Sequence, residues 1–199
     1  MIKRLFDVTC SLLGLLSLLP IFFIIAVIIK LDSAGPIFYR QERVGQHGRL
    51  FKIHKFRSMH VLQARNAAQV TVDNDPRITR VGHFIRKWKL DELAQLIDVW
   101  KGQMSLVGPR PEVPKYVELY PDDLRRIILS VKPGITDPAS IQFRDENILL
   151  AQAEDPELTY QKIILPAKLK LQAEYVRHHS FWNDVRLIIQ TVNAVLKRR

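Results

Sequence analysis

The sequence has a single cysteine, Cys10, and this excludes an intramolecular disulfide and a cysteine-based metal cluster. Cys10 lies inside an apolar run, where a thiol serves as a small apolar filler. There is no Walker-type glycine loop, no His/Cys ligand spacing and no G-x-S-x-G elbow, which disfavours P-loop, zinc and serine-hydrolase chemistry. Internal repeats and low-complexity tracts are absent too. Acidic residues are scarce: 20 Asp+Glu face 30 Lys+Arg, for a net charge of +10. Such an excess implies anionic partners, whether nucleic acid, a charged membrane face or a phosphorylated substrate, without choosing among them. With 199 residues, 47% of them hydrophobic, the chain can bury the core of one domain.

Charge of either sign is missing from Val8 to Ile29, VTCSLLGLLSLLPIFFIIAVII. About 22 residues at ~1.5 Å each reach about 33 Å, enough for a hydrocarbon core of roughly 30 Å. The run is too long for a cleaved signal peptide, and no small-residue cleavage site precedes Lys30. Pro20 interrupts it by removing a backbone donor, so a kink is expected there. Lys3 and Arg4 precede the run and Lys30, Arg40 and Arg43 follow it, which pulls both ends toward one face of a membrane. A helix broken at Pro20 that dips in and returns satisfies both pulls, and a kinked spanning helix is the alternative. The expected division is a membrane-inserted segment, 1–31, and a cytoplasmic domain, 32–199.

The remainder reads as mixed α and β. After the turn Asp32-Ser33-Ala34-Gly35-Pro36, two short strands are expected around Gly45 and Gly48, carrying Arg40, Arg43, Arg49, Lys52, Lys55 and Arg57 with His54. Asp73-Asn74-Asp75-Pro76 breaks the chain before a basic helix, ITRVGHFIRKWK. The following stretch KLDELAQLIDVWKG, 89–102, predicts a helix that buries Leu90, Leu93, Leu96, Ile97 and Trp100 and stops at Gly102. Asp91 and Glu92 then fall in its first turn. They either cap the helix and complement its dipole, or do chemistry, or both. Downstream, Pro109 and Pro111 flank Arg110 and hold its guanidinium with less entropy to lose on binding a phosphate; a rigid turn with a solvated Arg is the other reading. At the C-terminus, Trp182, Val185, Ile188, Ile189, Val192 and Leu196 share one helical face, expected to pack on the core rather than on a bilayer, with Lys197-Arg198-Arg199 at its end.

Taken in order, KRLFDV (3–8), GPIFYRQERVG (35–45), FKIHKFRSM (51–59), IRKWKLDELAQLIDVWKGQMSLVGPRPE (85–112), KPGIT (132–136) and SFWNDVRLII (180–189) resemble the bacterial sugar transferases, monotopic phosphoglycosyl transferases that act on polyprenol phosphate. The block from Arg86 to Pro111 carries most of the specificity. The resemblance implies an α+β fold: an N-terminal re-entrant membrane hairpin and a small mixed α/β cytoplasmic domain with interfacial amphipathic helices, in a minimal catalytic form. It implies transfer of a sugar 1-phosphate from a UDP-sugar to undecaprenyl phosphate at the inner face of the bacterial cytoplasmic membrane, releasing UMP and initiating surface polysaccharide biosynthesis. Asp91 and Glu92 correspond to the catalytic dyad, with Asp91 the nucleophile. Mg²⁺ is the expected cofactor, with Asp91 or Glu92 near it. Arg86 and Arg110, and less strongly Lys55 and Arg57, are the expected phosphate contacts, with Pro109 and Pro111 shaping the loop.

Two departures stand out. A Ser-Pro pair is common at the helix break of the family, whereas here Leu19-Pro20 lacks that hydroxyl. The PGIT turn continues as DPASIQFRDEN, 137–147, instead of through glycine, tryptophan and an NGR tripeptide, so the sugar does not carry over. A membrane-tethered nucleic-acid binder and a non-catalytic scaffold are the rival readings. Neither a recognition helix nor a zinc signature supports the first, and the oligomeric state is not legible.

Overall fold

The computed structural model describes residues 2–61, 71–72 and 75–197. The expected break at Asp73-Asn74 and the terminal Arg198-Arg199 lie outside them. Two helices, α1 (Ile2–Ser17) and α2 (Leu19–Asp32), open the chain and are bent by 61° at Leu18. Among the described residues no single helix is long and apolar enough to cross a membrane, but this bent pair is when taken together. Pro20 falls in the first turn of α2, where a backbone N–H has no helical partner to lose. A hydroxyl does serve the break after all: Ser17 Oγ donates to the carbonyls of Leu13 (2.7 Å) and Gly14 (3.3 Å), a back-bond that favours bending. Leu13, Leu16, Leu19, Phe23, Ile24 and Leu31 are exposed along the pair.

Both ends of this apolar pair are tied into the same folded body by the charged residues that flank it. Lys3 donates to the Val107 carbonyl (3.0 Å) and pairs with Asp184. Arg4 reaches the carbonyls of Val99 (2.7 Å) and Trp100 (3.0 Å), and buried Asp7 accepts from Ser105 Oγ (2.9 Å) and the Leu106 amide (3.1 Å). At the far end, buried Arg57 donates to the carbonyls of Ile29, Ser33 and Ala34 at 3.3, 2.6 and 2.9 Å, closing the C-terminus of α2.

The expected strands form an antiparallel hairpin, β1 (Phe38–Val44) and β2 (Leu50–Phe56), with Val44 opposite Leu50. Phe56 on β2 joins Ile25 and Ile29 of α2, Ile85 and Ala94 in one core cluster. The basic helix is α3 (Arg80–Lys87), capped by Thr79, whose Oγ1 accepts from the Gly82 amide at 2.9 Å. Beyond it the predicted single helix is replaced. Lys89 takes a left-handed φ of 54°, Leu90–Gln95 winds as a tighter 3₁₀ turn, and only Leu96–Trp100 (α4) is α-helical. Its most buried residues are not the predicted ones: Asp91, Ala94, Gln95, Asp98 and Val99 are buried, Leu90, Leu93, Leu96 and Ile97 half-buried, and Trp100 is 50% exposed. Apolar periodicity located a stripe but not its partner. Part of that stripe meets α1, where Leu96 packs beside Gly14.

A two-stranded parallel ladder, β3 (Ser105–Val107) with β4 (Gly134–Thr136), joins the SLVGPRPE and KPGIT segments. Short helices α5 (Pro114–Val117) and α6 (Asp122–Ile128) bridge the two strands, and α7 (Pro138–Gln142), α8 (Glu146–Ala151) and α9 (Pro156–Thr159) follow. A π turn, Tyr160–Ile164, leads into α10 (Leu165–His178), and α11 (Phe181–Leu196) ends the chain. The largest core cluster lies here, around Tyr116, Ile128, Leu150, Tyr160, Leu165 and Leu169. For α11 the expectation of core packing holds on one side only, where Leu187 joins the Val107–Tyr175 cluster and Ile188 packs against it. Asp184 and Leu187 are buried, whereas Trp182, Ile189, Val192 and Leu196 are 50% or more exposed. Polar partners set its inner face: Asp184 accepts from Tyr175 OH (2.6 Å), and Thr191 bonds Thr136 (2.6 Å).

The glycines of GPRPE and KPGIT exist for each other. A Cβ on Gly134 would lie 2.1 Å from the Gly108 amide nitrogen and one on Gly108 2.5 Å from the Lys132 carbonyl, so the two backbones cross where no side chain fits. Gly48, at the tip of the β1–β2 turn, has a positive φ of 77° but open space around it. Gly134→Ala is therefore expected to abolish the cooperative thermal transition of the detergent-solubilised protein. Gly48→Ala costs only about 1–2 kcal/mol of left-handed strain and should melt a few degrees lower; equal melting of the two variants would refute the crossing as a constraint.

Candidate active site

A cavity of about 1050 Å³ opens between the β1–β2 hairpin, α3, the 3₁₀ turn, the proline-flanked loop, α8 and α10. Asp91 and Glu92 both line it, with Lys55, Arg86, Lys89 and Arg110 around them. The 3₁₀ turn places the two neighbouring carboxylates in different surroundings. Glu92 lies under a fork. Arg110 Nη1 donates to its Oε2 at 2.9 Å, Arg110 Nη2 pairs with Oε1, and Lys55 Nζ reaches the same Oε1 at 3.2 Å. Asp91 is 6% exposed, and its Oδ1 is enclosed without a hydrogen-bond partner.

These surroundings move the two acids in opposite directions. Burial pushes the Asp91 carboxyl up, the charge of Glu92 pushes it further, and Lys55, Arg86 and Lys89 offset only part. Burial would also raise Glu92, but Arg110 and Lys55 outweigh it and hold that carboxyl well below the usual range. Burial brings Lys55 down to about 8 against the pull of Glu92. Neither acid accepts a backbone N–H among the described residues, so helix capping is not their task.

The structure thus brings Asp91, Glu92, Arg86, Lys55 and Arg110 to one cavity, and Arg86 makes no side-chain hydrogen bond among the described residues. Arg57 touches the cavity wall, but its guanidinium is spent on α2 carbonyls, which removes it as a phosphate ligand. Pro109 and Pro111 lie behind the main cavity; their carbonyls accept from the Gly134 amide (3.0 Å) and from Arg43 (3.0 Å), so they brace the loop.

Sequence reading missed the buried polar residues that hold these groups in place. Asp98 is fully buried and accepts from the His54 amide (2.8 Å) and ring Nδ1 (2.6 Å), clamping β2, and Lys55 with it, to α4. Asp137 accepts from the Arg110 amide (3.1 Å), the Ser140 amide (2.5 Å) and Gln172 Nε2 (2.8 Å), fixing the loop that carries Arg110. The 91, 95, 98 spacing of polar residues was the available signal for the first: it marks a second helical face, opposite the apolar one that drew attention.

A buried carboxylate without a hydrogen-bond partner among the described residues stands beside a neutralised one, in a cavity ringed by cations, an arrangement that can receive an anionic group. The chain matches the model of the bacterial sugar transferase family over residues 1–198 and belongs to that family. It is 37% identical over 195 residues to the UDP-glucose:undecaprenyl-phosphate glucose-1-phosphate transferase of Escherichia coli (strain K12), covering 96% of this chain and 39% of the relative. It is 40% identical over 204 residues to the undecaprenyl-phosphate glucose phosphotransferase of Komagataeibacter xylinus, covering 99% and 36%. With the UDP-N-acetylgalactosamine-undecaprenyl-phosphate N-acetylgalactosaminephosphotransferase of Aeromonas hydrophila it shares 35% identity over 197 residues, covering 98% and 44%. The chain spans about two fifths of the length of these relatives.

Opposite environments predict opposite mutational signs in metal-free protein. The raised Asp91 costs nothing below its unfolded pKa, where both states are protonated, and destabilises the fold as pH rises through its folded value. Asp91→Asn should raise Tm near neutral pH by about 2–4 °C, the equivalent of roughly 1 kcal/mol, and the gain should fade below about pH 4. The depressed Glu92 stabilises above its unfolded pKa and loses that contribution as pH falls through its folded value. Glu92→Gln should lower Tm by about 4–8 °C near neutral pH and progressively less in acid. Calorimetry of both variants against pH checks the pair; the same sign for both would contradict the assignment.

Proposed function

We propose that the protein transfers a sugar 1-phosphate from a UDP-sugar to undecaprenyl phosphate, releasing UMP, as the first step of building a surface glycan. Asp91 carries the reading: it is a cavity-lining carboxylate with no hydrogen-bond partner among the described residues, next to a carboxylate whose charge is consumed. One Asp91 oxygen attacks the phosphorus that bears the sugar; the bond from that phosphorus to the bridging oxygen breaks, and UMP departs with the electron pair. An oxygen of undecaprenyl phosphate then attacks the same phosphorus, the aspartyl–phosphorus bond breaks, and the carboxylate is restored with the diphosphate-linked lipid as product. No proton need leave Asp91 once it is ionised.

Charge is the main obstacle. Two unit charges about 4 Å apart repel by roughly 4 kcal/mol at an effective dielectric near 20, and the donor diphosphate is itself anionic. Arg86 and Lys55 line the approach, and Arg110, stiffened by its prolines, presents its guanidinium edge while anchored to Glu92. Magnesium fits the donor set as an ion shared with substrate: one available carboxylate, Asp91, plus phosphate oxygens suits an ion that takes few protein ligands. Both Glu92 oxygens are already given to cations, so Glu92 serves by holding Arg110 and Lys55. When bound, Mg²⁺ supplies neutralisation of the diphosphate charge.

The site belongs at the inner face of the cytoplasmic membrane on this reading, with α1 and α2 as a re-entrant hairpin. Support comes from their ends: residues 3–7 and 29–34 bond to one body, which leaves neither end to lie across a bilayer. The exposed stripe of α11, Trp182 to Leu196, then rests in the headgroup layer. Lys55 and Arg110 are bonded to Glu92 and Arg57 to the carbonyls closing α2, so these three cations are not free to follow a nucleic-acid backbone.

The test incubates protein in lipid nanodiscs with Mg²⁺, undecaprenyl phosphate and a panel of UDP-sugars while UMP is measured. UMP release is expected with at least one donor, Asp91→Asn should abolish it, and without acceptor the peptide containing Asp91 should gain the mass of one phosphosugar. Normal release by Asp91→Asn would refute the nucleophile. For topology, Ile2→Cys in a Cys10→Ala background should react with an impermeant maleimide only from the cytoplasmic side; periplasmic labelling would restore a spanning helix.

A further inference from the structure

A second ionic cluster lines the same cavity on its α8–α10 side, and the two-step transfer makes no use of it. Lys168 on α10 is 5% exposed; its Nζ lies 2.6 Å from Glu146 Oε2 and 5.2 Å above the Tyr160 ring. Tyr160 donates to Glu112 Oε1 at 2.6 Å, and Glu112 Oε2 is 3.5 Å from Arg43. Glu146 Oε2 is enclosed without a well-formed hydrogen bond, and Asn147, which lines the cavity beside it, makes no side-chain hydrogen bond among the described residues. Arg110 joins the two clusters: Glu92 chiefly holds it charged, and Glu146 and Glu112 add to the effect.

The charge count separates the roles of the two sides. Around Asp91 the cations prevail, as an incoming diphosphate requires. On this wall three carboxylates, Glu112, Asp145 and Glu146, face three cations, Arg43, Arg144 and Lys168, so a phosphate gains little there. A neutral ring bearing hydroxyls gains more, because a carboxylate accepts from hydroxyls while an ammonium and an amide donate to them, and such charge-assisted bonds are the strong ones. We propose that Glu146, Asn147 and Lys168 form the subsite for the sugar ring of the donor, and that the ring is an uncharged pyranose whose hydroxyls donate to Glu146. This rests on the transferase reading. With the sugar-bearing phosphorus between Asp91 and Arg110, the ring lies past Arg110 on this wall, and the nucleotide takes the opposite half, lined by Tyr39, Arg77 and Lys87. A uronate would set one more carboxylate against Glu112, Asp145 and Glu146.

The test pairs the accepted UDP-sugar with analogues in which single ring hydroxyls are replaced by fluorine, which cannot donate. Wild type should lose roughly 10- to 100-fold in kcat/KM for at least one position, the range of a hydrogen bond to a charged group. Glu146→Ala should erase that discrimination while the inhibition constant of UMP stays within about twofold. Because this variant leaves Lys168 without its partner, the charge-neutral Glu146→Leu/Lys168→Met protein, checked by its melting transition, repeats the measurement. UDP-glucuronate should be a poorer donor than UDP-glucose. Fluorine discrimination that survives in both variants, preference for the uronate, or a loss of UMP affinity matching the loss of donor use would overturn the subsite while leaving the transferase intact. No UMP from any UDP-sugar in wild type would overturn both.

Discussion

Everything at this site depends on how two neighbouring carboxylates divide a small number of positive charges. Glu92 takes both arms of Arg110 and the ammonium of Lys55, and Asp91 is left with through-space attraction alone. A bidentate Arg–carboxylate pair in a half-buried setting is strong and geometrically exacting, so the cations stay within reach of an incoming phosphate. Were Asp91 the partner instead, its oxygens would be engaged and, on the proposed reading, unable to attack phosphorus. The cost is a buried carboxylate held above its ordinary pKa, instability of the kind that functional sites concentrate.

The fold serves this division by bringing three separate segments to one point and locking each behind the cavity. Lys55 rides on β2, which Asp98 clamps through His54; Arg110 rides on a loop fixed by Asp137 and by the Gly108–Gly134 crossing; the acids ride on a 3₁₀ turn started by left-handed Lys89. The tighter winding matters. Here Glu92 turns to the cations while Asp91 keeps no hydrogen-bond partner among the described residues.

The hairpin, the basic helix, the broken apolar segment and the set of residues around Asp91 were legible in the sequence, because alternation, turn residues and charge are local signals. What failed was deciding which side of a helix meets what. The apolar stripes of 90–100 and of α11 were read as core-facing, yet Asp91, Gln95, Asp98 and Asp184 turn inward and Trp100 and Trp182 turn out. Periodicity measures separation of faces; if the proposed membrane placement holds, apolar residues have a second destination, and the rule that buries them in protein loses its force. Arg57 failed for a related reason, since cationic residues beside a membrane helix also serve as caps for its carbonyl end.

That inversion links the anchor to the chemistry. Leu96, one helical turn after Asp91 and Glu92, packs against Gly14 of α1, while Arg57, two residues after Lys55, closes the end of α2. Asp91 and one of the cations beside it are therefore each a few residues from a point where the apolar pair is fastened. On the proposed reading, an acceptor whose phosphate cannot leave the headgroup layer demands a site at constant height. Short rigid connections of this kind hold such a height better than a flexible tether would, because any tilt of the body would have to break the Arg4, Asp7 or Arg57 bonds first. On the proposed reading, the inward polar residues and the exposed apolar ones are thus one arrangement: the first build the charge pattern, and the second set where in the membrane that pattern stands.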